Sequence, residues 1–406
     1  MRRNVFLWVL YDFANSFTYI AFFLYFSQWI VVDCGISDVW FNLCLAISSF
    51  FLLLTAPFIG VMLDKKWRNI TGLRLSTLAT IIFYSLAVLF IFYNEKVLSL
   101  IFFTIGQYFF VLSFVFYTPL LSVLSEIEKR GKVSGYGMAG NFLGNVSALF
   151  LALPFATGKI GLLGKEPRAE TILPLLAVSF LFSLPMLLFF REPVKNSIKI
   201  PTEKSAISFA QTKLLFLNRN VLLFLVSFIF LNGAILTFIN NSPIILDNLW
   251  QVPDITKTFI LLIAIIASVF GSITGGYFID CFGSKKTLIY ITIGWIIMMP
   301  ISALISTLSY YIVASIITGF LLGANMTTAR VLMSNLAPLS RHNLAFAYFT
   351  IIEKTSMFVG PILWGLIVSG FMVLGPWRYR LAIISMALLI VLSLPILLKV
   401  KDTHES

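Results

Sequence analysis

Charge is scarce in this sequence. Asp, Glu, Lys and Arg make up 11% of its 406 residues, against about 25% in soluble globular chains, which excludes an ordinary water-soluble domain. Cysteine and histidine are scarcer still. Cys34, Cys44 and Cys281, with His342 and His404, fit no metal or redox spacing, so neither a structural metal, a disulfide nor any other cofactor is expected. Acidic residues are few, 17 against 29 Lys and Arg, for a net charge of +12. The excess does not point to nucleic acid, because the basic residues sit in short segments between apolar runs and no nucleic-acid-reading motif is present. Phosphate-cradling signatures are missing as well. Gly131-Lys-Val-Ser-Gly135-Tyr-Gly137-Met-Ala-Gly140 follows no strand and does not match Gly-x4-Gly-Lys-Ser/Thr. With Gly144 its small residues fit close helix packing better. No catalytic triad or metal cluster is visible, so the chain is not expected to be an enzyme or an ATP-driven pump.

Long apolar runs are what the sequence has. It is 59% hydrophobic, with 41 Phe and a mean hydropathy of +0.96. Runs longer than 18 residues imply an all-α integral membrane protein rather than a barrel. About twelve spans are predicted, at 5–32, 39–63, 73–93, 97–124, 133–157, 171–190, 219–240, 255–279, 286–306, 309–333, 343–370 and 379–399. The first run is too long for a signal peptide and lacks a small-residue cleavage site, so it is expected to stay as helix 1. With the N-terminus inside, Lys and Arg are about three times as frequent in the inner segments as in the outer ones, which sets both termini in the cytoplasm.

The connection 191–218 is polar, mixed in charge and contains Pro. It reads as a cytoplasmic linker, with a surface helix expected near 205–217, between a six-span half at 1–190 and another at 219–406. The halves echo each other. Gly60 and Gly276, and Asp64 and Asp280, are each 216 positions apart, while Asn15 and Asn232 are 217 apart. A shared offset argues for a duplicated unit.

Polar residues inside the spans are the candidate functional positions. The first span carries Tyr11, Asp12, Asn15, Ser16, Thr18 and Tyr19, which share a face at helical spacing. An Asp at the bilayer centre costs about 2.5–3.5 kcal/mol on insertion scales, and such residues normally face a bundle interior or a water-filled path. Asp12 lies about 12 Å deep, counting 1.5 Å per residue from Asn4. It either binds substrate or a proton directly, or it is a hydrogen-bonded lock between helix 1 and helix 5 or 11. Glu353 and Lys354 lie about 15 Å into span 11. Sequence neighbours point about 100° apart on a helix, so each is expected to find another partner: Asp12 for Lys354 and Arg330 for Glu353. Gln107, Tyr108, Asn232, Asn240, Asn241 and Asn325 are further polar positions, and interhelical hydrogen bonding is their simplest explanation.

The loop Gly276-x-x-x-Asp280-x-x-Gly283-x-Lys285-Lys286 resembles the loop signature of the major facilitator superfamily. Its first copy keeps Gly60, Asp64, Lys65 and Lys66 and lacks the second Gly. Trp8-Val-Leu-Tyr-Asp-Phe-Ala-Asn-Ser16 resembles the first-helix signature of that superfamily's UMF1/Atg22-like branch. So do Phe116-Tyr-Thr-Pro-Leu-Leu with Arg130-Gly-Lys-Val-Ser-Gly-Tyr-Gly137, and the stretch from Arg330 through Lys354 to Gly360-Pro361. The resemblance implies two pseudo-symmetric six-helix halves (the major facilitator fold), with helices 1, 4, 7 and 10 lining a central cavity. Tyr11, Asp12, Asn15, Tyr19, Gln107, Asn232, Asn240, Asn325, Arg330, Glu353 and Lys354 then become the expected substrate and coupling path. It also implies that Asp64 faces the start of span 11 and Asp280 the start of span 5, as conformational latches. The expected function is secondary active transport of a small polar solute, amino acids first by resemblance, with H⁺ as coupling ion. The alternatives are an uncoupled or Na⁺-coupled facilitator, or a sensor with a transporter fold. The expected partners are a small-molecule substrate and the lipid bilayer, the expected state a monomer, and the expected location a bacterial inner membrane or else a vacuolar one.

Overall fold

The structure is a computed structural model that describes residues 2–65, 68–162, 164, 166–192 and 209–401. Among them there is no strand. The helices are α1 (Arg2–Tyr19), α2 (Asp38–Lys65), α3 (Asn69–Phe92), α4 (Lys96–Tyr117), α5 (Leu120–Leu124), α6 (Arg130–Ala156), α7 (Pro167–Phe189), α8 (Phe209–Phe216), α9 (Arg219–Trp250), α10 (Asp254–Phe282), α11 (Ser284–Leu304), α12 (Leu308–Leu336), α13 (His342–Gly370) and α14 (Trp377–Leu398). Among the described residues, eleven helical segments are long and apolar enough to cross a membrane, so the chain is a multi-pass membrane protein. The region expected as span 11 is one continuous 29-residue helix, α13, with an apolar stretch at Gly360–Gly370.

Three local features depart from the expected pattern. The first span does not stay α-helical. Beyond Tyr19 it continues as π-helical turns, Ile20–Phe26 and Trp29–Asp33, which re-aim the side chains that follow the polar stretch. Span 7 does not end at Asn240. It runs to Trp250 through Pro243, and polar side chains there bond back onto carbonyls one turn earlier: Asn241 Nδ2 donates to Thr237 O at 2.8 Å and Ser242 Oγ to Phe238 O at 3.1 Å. The linker helix is seen as Phe209–Phe216, ending one residue before the expected bound, while 205–208 of its expected range lie outside the described residues. Residues 193–208 lie outside the described residues.

Packing divides the chain into two compact units. The first takes in 1–124, 140–208 and 340–347, and the second 125–139, 209–339 and 348–406. In the first, α1 lies against α7 and α4 against α2 and α3. Phe22 stacks on Tyr84 with ring centroids 3.7 Å apart, and Phe26 meets Phe103 at 4.8 Å. In lipid there is little hydrophobic drive between helices, so such fitted contacts hold the bundle. In the second unit α10 and α12 form the most extensive pair. Their seam is built from small residues: a Cβ on Gly319 or Gly323 would run into the carbonyls of Ala264 and Ser268, and one on Gly271 into that of Phe320. Ser268 Oγ donates across the seam to Gly319 O at 2.8 Å.

Candidate functional site

In the first unit the polar face of α1 is shared among its neighbours. Trp8 stacks on Tyr117 with centroids 4.9 Å apart. Each ring also bonds the other's backbone, Trp8 Nε1 to Tyr117 O at 3.3 Å and Tyr117 OH to Trp8 O at 3.0 Å. Tyr11 is buried and shares a 2.6 Å hydrogen bond with Thr77 on α3. Thr18 shares another of 2.6 Å with Ser179 on α7. Asp12, only 1% exposed, turns to α6, where Asn141 Nδ2 donates to its Oδ1 at 3.3 Å. Ser16 Oγ donates to Asn141 O at 2.7 Å, and Asn145 Nδ2 reaches Asn141 Oδ1 at 3.5 Å.

Gly140 and Gly144 allow this approach, since a Cβ on Gly144 would strike Phe13 O and Ser16. Buried beside Asp12, Asn15 keeps its Nδ2 without a hydrogen-bond partner among the described residues. Such an atom is costly unless a water or ligand takes it up. Tyr19 is 39% exposed and stacks on Phe23. On α4, Gln107 is buried and accepts from Tyr84 OH at 2.7 Å. Asn141 and Asn145 were not singled out from the sequence, although their i,i+4 spacing in an apolar helix was a usable signal.

In the second unit, Asn232 on α9 is fully buried and binds α13, donating to Ser356 Oγ at 2.7 Å and to Glu353 O at 3.3 Å. Asn325, on α12, is fully buried, and neither end of its amide has a partner among the described residues. Arg330 is buried on the same helix. Asn240 is exposed at the edge of a cavity. The expectation that Glu353 and Lys354 cannot pair with each other needs correction. The two pair with each other, Lys354 Nζ to Glu353 Oε1 at 3.0 Å, and Glu353 does not take Arg330. Backbone direction at adjacent positions does not forbid this, because the long Lys stem folds back across one residue. The side chains are 26% and 33% exposed, so the pair is partly solvated and contributes little stability.

The two loop carboxylates each hold a helix start. Asp64 Oδ1 accepts from Asn343 N at 2.9 Å and Asn343 Nδ2 at 2.7 Å, and its Oδ2 accepts from Leu344 N at 3.1 Å. Within the second unit, Asp280 accepts from Gly131 N at 2.8 Å and Lys132 N at 3.1 Å. Free N–H groups and the helix dipole make such ends natural carboxylate sites. Gly60 permits the approach, since a Cβ there would lie 2.8 Å from Leu344 Cα. Gly131 and Gly276 likewise meet backbone to backbone. Gly283 has φ +86 between α10 and α11, a conformation that suits glycine. Lys285 and Lys286 follow on the first turn of α11. The side chain of Lys65 lies outside the described residues.

A third carboxylate of this kind carries no motif in the sequence. Glu192, just past α7, accepts from Asn69 Nδ2 at 3.2 Å and Ile70 N at 3.1 Å at the start of α3. In the second unit, Arg130 Nη1 donates to Asn335 Oδ1 at 2.7 Å. At the other end of the first unit, Arg168 pairs with Asp33 at 2.6 Å. Burial pushes the neighbouring Cys34 thiol up from its ordinary value, partly opposed by the charge of Lys96.

The family model of the Major Facilitator Superfamily matches residues 242–406. A protein of Aquifex aeolicus (strain VF5) without an assigned role is 23% identical over 361 residues, covering 89% of this chain and 87% of that one. Autophagy-related protein 22 of Pichia angusta is 26% identical over 164 residues, 37% of this chain and 29% of that protein. Among solved structures, the proton:xylose symporter XylE bound to 6-bromo-6-deoxy-D-glucose superposes with a TM-score of 0.72 at 11% identity, covering 99% of this chain and 96% of that one. The chain thus shares its fold with this solved structure along nearly its whole length, and its residues 242–406 match the model of the Major Facilitator Superfamily.

Proposed function

We propose that the chain moves a small polar solute across a membrane by alternating access, with protons as the coupling ion. The observation that carries the reading is Asp12: a carboxyl buried inside a membrane helix, hydrogen-bonded by Asn141 and adjoining an unpartnered Asn15 amide. Intramembrane carboxyls of this kind mark ion and proton paths by default. The carboxylate contacts of Asp64 and Asp280 on the starts of α13 and α6 support it too, because hydrogen bonds to helix ends break and re-form without loss of the helices themselves. A structural neighbour named as a proton:xylose symporter adds weight to proton coupling. Amino acids are the first solutes to try, on the resemblance to the UMF1/Atg22-like branch. A bacterial inner membrane and a monomeric state complete the reading.

The test is solute flux in proteoliposomes with an imposed pH gradient. We expect accumulation driven by the gradient, and an Asp12→Asn variant that still exchanges solute without responding to pH. An Asp12→Asn variant with the unmodified pH profile and rate would remove Asp12 from coupling. Binding retained without any flux would make the chain a sensor.

A further inference from the structure

The second unit encloses a cavity of about 270 Å³ among α9, α10 and α12. It is large for water alone, whose share of liquid volume is about 30 Å³. Its residues lie off the outward faces of the two helices that wall it, where Phe259, Ile263 and Phe270 on α10 and Tyr310, Val313 and Ile317 on α12 are exposed. Asn240, itself exposed, stands at its edge.

The chemistry of the walls is specific. No Asp, Glu, Lys, Arg or His lines the cavity among the described residues. An ion of either sign would therefore lose its water without gaining a countercharge. Apart from Asn240 at its edge and the Tyr311 hydroxyl, which bonds Ser242, the polar groups that line it are hydroxyls whose protons are already committed. Ser242 Oγ donates to Phe238 O at 3.1 Å, Ser268 Oγ to Gly319 O at 2.8 Å, Ser315 Oγ to Tyr311 O at 2.8 Å, and Thr318 Oγ1 to Ser315 O at 3.2 Å. A hydroxyl has one proton and two lone pairs, so each presents an acceptor to the cavity. Pro243 adds another. It has no N–H to give to the carbonyl of Ile239 one turn earlier, and both residues are in the wall. Ser242, Ser268 and Thr318 are each more than nine-tenths buried, so water outside the cavity does not satisfy these lone pairs.

We infer that this cavity is a binding site for an uncharged solute rich in hydrogen-bond donors, a polyhydroxylated compound rather than an amino or carboxylic acid. The inference replaces amino acids with neutral polyhydroxylated compounds as the solute class of the transport reading, and it rests on that reading only for the solute's passage, not for its binding. The apolar part of the wall, with Leu246, Ile260 and Leu322, suits the C–H faces of such a solute. Trp250 stacks on Tyr311 with ring centroids 4.7 Å apart, so a wall residue carries a fluorescent neighbour.

The test is titration calorimetry on the full chain in lipid nanodiscs, with myo-inositol and D-glucose as neutral probes and glycine and lactate as charged ones. Trp250 fluorescence is followed in parallel. The neutral probes are expected to bind. The Ser315→Ala/Thr318→Val double variant, which removes two acceptors at nearly constant shape, is expected to weaken them by about tenfold or more. Ser315→Phe, which fills the space, is expected to abolish binding. Thermal unfolding of each unliganded variant establishes that it is folded, and Thr318→Val alone serves if the double variant is not.

The inference is overturned if neither neutral probe binds the folded wild-type chain up to the probe's solubility. It is equally overturned if the neutral probes bind with no change in the variants, or if the variants weaken only glycine or lactate. Counterflow on the same preparations separates the two readings. Glycine flux indifferent to the variants removes the cavity and leaves transport, whereas myo-inositol binding without flux removes transport and leaves the cavity.

Discussion

At the scale of single residues, Asp12 is the position where structure and chemistry meet most closely. Its partner Asn141 lies on α6, and hydrogen bonds to a charged group contribute about 1.5–3 kcal/mol. Replacing Asn141 with Leu is therefore expected to lower thermal stability and to shift the pH response of flux. A purely structural lock predicts the first change alone. Both readings were open in the sequence, because a carboxyl in an apolar run reveals that it has a partner without revealing which. Tyr11 is a sharper lesson. It shares the helical face of Asp12, and its buried hydroxyl bonds Thr77 on α3. Face periodicity places side chains on a helix, and the neighbouring helices decide what each one meets.

Two cysteines give a residue-scale probe of topology. Cys281 is exposed and Cys34 half-buried. With both termini cytoplasmic, a membrane-impermeant thiol reagent labels Cys34 from the outer face and Cys281 from the inner one. Because burial raises the Cys34 thiol and the thiolate is the reactive form, its labelling accelerates as pH rises above neutral. Labelling of Cys34 from the inner face and of Cys281 from the outer one would contradict the orientation.

At the scale of elements, the seam between α10 and α12 sets how the second unit packs. Gly323→Ala brings a methyl into the Ser268 carbonyl, so a loss of several degrees in Tm is expected, measured by thermal unfolding in detergent. Gly365→Ala, where an added Cβ meets nothing within 4 Å, is expected to be neutral or stabilising by up to about 1 kcal/mol. The spans themselves were legible within a few residues, because an uninterrupted apolar run leaves the backbone no choice but to satisfy its own hydrogen bonds. The exceptions follow from polar chemistry that hydropathy does not weigh. Span 7 continues through Asn241, Ser242 and Pro243, where two of those side chains bond carbonyls one turn back. That same proline gives the cavity one of its acceptors, which no count of apolar residues anticipates. The Glu353–Lys354 pair was missed for a related reason: helix geometry fixes Cβ directions, not the reach of a lysine.

At the scale of the whole molecule, the duplicated loop is what the sequence revealed best. Glycines and carboxylates that recur 216 positions apart both hold the first amides of a helix. The pattern was readable because such a loop needs a short approach and a charge at an apolar end, and few residues satisfy both. Charge removal at these positions, Asp64→Asn or Asp280→Asn, is expected to leave solute binding intact within about threefold while lowering the rate of exchange. Equal loss of binding and rate would instead indicate a general folding defect.

Counterflow in proteoliposomes tests alternating access most directly: labelled solute outside, excess unlabelled solute inside, and no gradient of any other kind. The account predicts transient accumulation of label by the wild-type chain, with the effect slowed in Asp64→Asn and Asp280→Asn and retained in Asp12→Asn. Specific binding of the same solute with no counterflow would contradict it.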